Sequence, residues 1–173
     1  MIATATESLP APVALEDGLR KWRIQRTIND PFEFGRIYFP KYWFQKSPDF
    51  HKEIMDLATH RNNEEWIGKK NLNTLVIAAP RNHSKSTLIT FLYVIWSLVT
   101  QRKFFTVIIS DIARISVSHT RNIKEEFESN ERLRNDWGIV LGKDWDELNG
   151  FSRGEKEKWT DEEFVIGFRK WGG

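Results

Sequence analysis

The chain has 173 residues, 40% of them apolar and 29% charged, which is enough for one hydrophobic core and too little for a second full domain. Its formal net charge is only +2, with basic and acidic residues intermixed, so composition does not announce a nucleic-acid binder. The absence of cysteine excludes a disulfide framework, a thiolate metal site and a cysteine nucleophile.

Residues 1–12 have neither a basic start nor an apolar stretch, so they read as a frayed tail and not as a secretion signal. Over 15–28, Leu, Trp and Ile mix with Arg and Lys at roughly helical spacing, which predicts a short amphipathic helix; residues 1–29 form a tail and helix ahead of the main domain, 30–173. Arg20, Lys21, Arg23 and Arg26 lie close together and could touch DNA phosphates or a neighbouring subunit, although an exposed helix face is the commoner use of such a cluster. From Asp30 to Phe50 the chain is aromatic and broken by Pro31, Pro40 and Pro48, which rule out one long helix; packing under an N-terminal cover explains these rings better than base stacking.

Ser47-Pro48-Asp49 can open a helix whose apolar face is Ile54, Leu57 and Ala58. Residues 74–79 are short, continuous and β-branched, the pattern of a strand buried on both faces of a parallel sheet, and Pro80 ends them. A helix over 86–101 that is apolar nearly all round follows, then a second β-rich run, 104–110, so the unit is strand, helix, strand. The apolar run 88–99 is too short for a bilayer, which takes about 20 residues, and a soluble protein is expected. Ile115, His119, Ile123 and Phe127, then Leu133 and Trp137, predict one helix of about twenty residues ended by Gly138. Residues 139–154 read as a loop, and the alternation of Phe164, Ile166 and Phe168 as a strand or hairpin.

The chemistry lies in Ala79-Pro80-Arg81-Asn82-His83-Ser84-Lys85-Ser86-Thr87. Its spacing is that of the phosphate-binding loop G-x-x-x-x-G-K-[ST], with Ala79 and Ser84 in place of the two glycines. A strand before the loop and a helix from Lys85 would turn backbone N–H groups and the positive helix end toward an anion, with Lys85 reaching the β- and γ-phosphates and the Ser86 hydroxyl on Mg²⁺. The plainer alternative is a basic turn capping a buried helix. The carboxylates Asp144, Asp146 and Glu147, and Asp161, Glu162 and Glu163, follow no apolar strand and read as solvated loop charges; Asp111, at a strand end, reads as a cap for the next helix or a supporting residue at the site. The four histidines contain no H-x-x-x-H pair, so no protein-built metal site is expected.

Three stretches resemble the terminase large subunits of tailed phages. Phe50-His51-Lys52-Glu53-Ile54 is like that family's Phe-His-x-Glu-Ile segment, and Ala79-Pro80-Arg81 through Lys85-Ser86-Thr87 is like its Ala-Pro-Arg-Gly-x-Gly-Lys-Ser. Ile109-Ser110-Asp111, then Asn122-Ile123-Lys124, then Glu128-x-Asn130-Glu131-x-Leu133-Arg134-x-Asp136-Trp137-Gly138, is similar to its second strand and helix.

The resemblance implies an α/β fold with an incomplete parallel-sheet core of the P-loop NTPase (ASCE) type and an aromatic-rich N-terminal segment. It implies ATP and Mg²⁺ as cofactors. Lys85, Ser86, Thr87, Ser84, His83 and Asn82 would bind nucleotide, with Ser86 the Mg²⁺ residue, Arg81 the loop arginine near the phosphates in a catalytic role, and His51 a polar residue on the adenine side. The implied function is ATP-driven packaging of double-stranded viral DNA in the host cytoplasm, in a homo-oligomeric ring working with the small terminase subunit, the portal and the procapsid, and without a membrane. The family's later carboxylate motif and nuclease domain lie outside this sequence, so weak turnover is expected of the chain alone. The rival readings are a non-enzymatic fragment that binds motor, portal or small terminase subunits, and a fragment of a helicase-like or kinase P-loop protein.

Overall fold

The computed structural model describes residues 12–43, 47–60, 75–80, 83–144 and 159–169. Within them the chain is α/β, mostly helical, with one small antiparallel sheet.

Helix α1, Pro12–Thr27, packs on α2, Pro31–Tyr38. Asp30 starts α2 by accepting hydrogen bonds from the Phe32 and Glu33 N–H groups at 2.8 and 3.0 Å, and Pro31 sits in the first turn, where no N–H is needed. Pro31 thus starts a short helix that ends before Pro40, and no single long helix runs through the region, as expected. The exposure of α1 is inverted relative to its amphipathic reading: Leu15, Leu19 and Trp22 are exposed, whereas Arg20, Arg23 and Thr27 face the protein. The cause is Asp136, only 2% exposed, which accepts from Arg23 through both carboxylate oxygens at 2.5 and 2.7 Å, from the Tyr38 hydroxyl at 2.9 Å, and offers its carbonyl to Arg20 at 3.0 Å. A buried carboxylate must be paired, and Arg23 pairs it, with the Tyr38 hydroxyl as a further donor.

Helix α3, Asp49–His60, lies beside a π-helix, Ser86–Tyr93, which runs directly into α4, Val94–Val99. This apolar rod is the centre of the core, with Leu88, Leu92, Ile95, Trp96 and Val99 buried against Phe34, Phe39, Met55, Ile123 and Phe127. The aromatic segment supplies core as expected: Phe34 packs on Tyr38, Phe39 and Trp137, and Phe39 meets Phe91 edge-on at 5.2 Å. Gly35 is closely packed, and a Cβ there would stand 3.0 Å from the Trp43 ring, which would have to shift to admit it.

The expected long helix is two, α5, Ala113–Ser129, and α6, Glu131–Trp137. Asn130 breaks it, its side-chain oxygen accepting from the Leu133 N–H at 3.1 Å while its amide donates to the Tyr38 carbonyl at 2.8 Å. Gly138 ends α6 in the left-handed conformation, φ 62°. The stretch expected to be loop begins instead with β1, Ile139–Leu141, which pairs antiparallel with β2, Ile166–Phe168, in the register Ile139 to Phe168 and Leu141 to Ile166. Of the expected strands 74–79 and 104–110, residue 74 lies outside the described residues and the rest join no ladder with any described residue. The burial on both faces expected of the first is not found: exposure alternates with period two over 75–80 and 105–110, as in extended chain with one open face, and Val76 is 83% exposed.

Candidate phosphate-binding turn

The turn between 75–80 and the π-helix has one unusual backbone residue. Ser84 is left-handed, φ 53°, one of two such non-glycine residues among those described, and it stands where the loop pattern has its second glycine. Lys85 follows in the right-handed region, φ −53°, ψ −47°. Left-handed then right-handed backbone aims successive N–H groups at one point and forms an anion-binding concavity. The π-helix adds to it, because N–H groups bond carbonyls five residues back and the first-turn donors have no helical acceptor. Within the turn the Leu88 N–H donates to the Ser84 carbonyl at 2.8 Å.

Lys85 folds over this turn. Its Nζ donates to the Pro80 carbonyl at 2.6 Å and also to the Ala79 carbonyl, so the cation sits at the end of the extended segment. Ser86 is exposed at the start of the helix and Thr87 half-buried. From α3, His51 Nε2 lies 3.0 Å from the His83 carbonyl oxygen, and the Phe50 ring lies against both His51, at 4.4 Å, and His83, at 5.8 Å. The fold thus brings His51, His83, Ser84, Lys85, Ser86 and Thr87 together across two elements. Arg81 and Asn82 lie outside the described residues.

Backbone donors, a cation within reach and an exposed hydroxyl beside it suit a polyphosphate with its Mg²⁺: the turn and Lys85 would hold the phosphates and Ser86 the ion, which would neutralise phosphate charge. Phe50, which sequence reasoning left to packing, flanks both histidines. Its signal was its place beside His51. Among the described residues no group of three or more His, Asp or Glu could hold a metal by itself.

Other candidates are drawn elsewhere. Arg20 and Arg23 serve Asp136, and Arg26 bonds Glu33 at 3.2 Å, so this basic cluster is structural and only Lys21 of the four has no recorded partner among the described residues. Asp111 does not cap α5; Ile112 holds the cap position with no side-chain bond, and Asp111 accepts from Ser110 at 3.2 Å. Asp161 is bound by Arg121 at 2.7 Å and Lys124 at 2.6 Å, and these cations hold its carboxyl below the usual range, that of Lys124 foremost. Asp146 and Glu147 lie outside the described residues. No described helix is long and apolar enough to cross a membrane. Comparison with protein-family models, with curated proteins and with solved structures finds no match to the chain.

Proposed function

We propose that this chain binds the phosphates of ATP with Mg²⁺ and is the nucleotide-binding part of a DNA-packaging motor of the terminase large-subunit type. The observation that carries the proposal is Ser84, held left-handed immediately before Lys85 at a helix start. A serine is strained there by about 1 kcal/mol, and an ordinary helix cap needs no such residue, whereas an anion nest does. The order of parts supports it further: extended segment, turn, apolar helix, extended segment, with His51 and Phe50 on one side of the turn.

In this reading 75–80 and 104–110 belong to a parallel P-loop sheet, and their alternating exposure is that of strands with one face on the helices. His83 and Asn82 would contribute loop contacts, and Arg81 would approach the transferred phosphate. Double-stranded DNA, the small terminase subunit and the portal are partners of the proposed motor.

Calorimetric titration with a non-hydrolysable ATP analogue and Mg²⁺ tests the proposal on the wild type and on Lys85→Ala. Binding heat for the first and markedly weaker binding, by about tenfold or more, for the second is expected. Equal heats, or none for either, would remove the nucleotide reading.

A further inference from the structure

Residues 104–110 carry a second surface. Phe105, Val107 and Ile109 are 81, 60 and 87% exposed, while Thr106, Ile108 and Ser110 between them are half-buried and Ile108 packs on the core. None of the backbone hydrogen bonds between described residues involves 104–110. This is an extended, uncharged, proline-free, β-branched segment with open backbone groups, and such an edge pairs with another strand unless something guards it.

Its two ends determine which strand. Lys103 and Asp111 bracket the segment, both exposed. If two copies of this segment run antiparallel with Val107 opposite Val107, residue 103 of each stands opposite residue 111 of the other. Lys103 then faces Asp111 twice, Phe105 faces Ile109 twice on the outer face, and Thr106 faces Ile108 on the inner face. Opposite-charge and aromatic-to-branched pairs are the favourable cross-strand combinations, and the arrangement is closed by its twofold axis. A slip of one residue would set apolar against inner-face residues and lose both ion pairs. We infer that 104–110 is a self-complementary edge which docks a second copy of this chain, in the register that joins Lys103 to Asp111. One edge suffices, so the other remains open to a sheet neighbour, and nucleotide plays no part.

Sedimentation across a concentration series tests this on the intact chain. The wild type is expected to go reversibly from monomer to dimer. Lys103→Glu and Asp111→Lys each turn two attractive pairs into repulsive ones and should weaken the dimer by about tenfold or more. Mixed in equal amounts, the two variants restore complementary charges at both ends and should form a heterodimer, while Lys85→Ala should leave dimerisation unchanged. Both substituted side chains are exposed, and circular dichroism verifies that each variant folds. A monomer at every concentration, assembly beyond the dimer, or a dimer indifferent to the charge reversals and their mixture would each overturn the inference.

Discussion

The amine of Lys85 donates to the carbonyl oxygen of Pro80 at 2.6 Å, so the cation is tied to the end of the segment that precedes its own turn. The Ala79 carbonyl shares it. A phosphate would have to offer the amine more than two neutral acceptors do, and an ionised oxygen does, since it meets the ammonium with a full opposite charge where a carbonyl offers only a dipole.

Removing the amine should therefore cost binding more than stability. Lys85→Ala is expected to weaken ATP-analogue affinity by about tenfold to a hundredfold or more, the effect of one lost hydrogen bond to a charged group. Titration calorimetry measures it, and the melting temperature of the free protein should change little. A large drop in melting temperature with unchanged affinity would make Lys85 a structural residue.

Ser84 yields a backbone prediction. A β-branched residue at φ 53° is an outlier, so Ser84→Val should destabilise the free protein by about 1 to 2 kcal/mol, a fall of roughly 2 to 8 °C in melting temperature. Ser84→Gly should not lower it and should bind the analogue at least as well as the wild type, because glycine adopts this conformation without strain. Thermal melts with and without analogue decide the matter.

The buried Asp136 fastens α1 and α2 to α6, and deleting it would leave the Arg23 guanidinium and the Tyr38 hydroxyl without their acceptor. Asp136→Ala is expected to cost about 3 kcal/mol, in the range for breaking a buried ion pair on one side. Denaturant unfolding measures this; a loss no larger than that of an exposed charge would mean that α1 is held by other contacts.

Stability should also depend on pH through Tyr38 and Glu33. Burial foremost, then the charge of Asp136, raises the Tyr38 hydroxyl above its ordinary value of 10.0. The unfolded chain ionises this tyrosine first, so the stability it contributes is whole below pH 10.0 and declines as pH rises toward its folded value. Glu33 is the opposite case: the hydrogen bond from Arg36 holds it below 4.5, so its contribution is present above that pH and is lost as pH falls through the folded value. Tyr38→Phe should flatten the alkaline limb of the unfolding free energy, and Glu33→Gln the acid limb. A limb unchanged by its substitution would assign that dependence to other groups.

The strongest local signals of the chain survive folding where the physics is itself local. Gly138 ends a helix in a left-handed turn, a helix opens at Asp49 after Ser47-Pro48, and the apolar rod 88–99 is the core, because φ preferences and hydrophobicity act within a few residues. The break at Asn130 was hidden, since its amide is satisfied by Tyr38, 92 positions away. The inverted face of α1 was hidden for the same reason: helical periodicity marks Leu15, Leu19 and Trp22 for burial, and no spacing rule reveals that Asp136 is buried and needs Arg23. Sheet membership is non-local as well, so β1 in a stretch read as loop became visible only with its partner Ile166–Phe168 in place.

The sequence by itself determined that a lysine and a hydroxyl stand at the head of an apolar helix after a β-rich run, because residue type and spacing are local properties. The tertiary structure alone decided that Ser84 takes the left-handed conformation a glycine would hold, that His51 and Phe50 come to the turn, and that the arginines of α1 are engaged by a carboxylate. Those outcomes depend on which distant groups are buried together, and burial is settled only when the whole chain has found its partners.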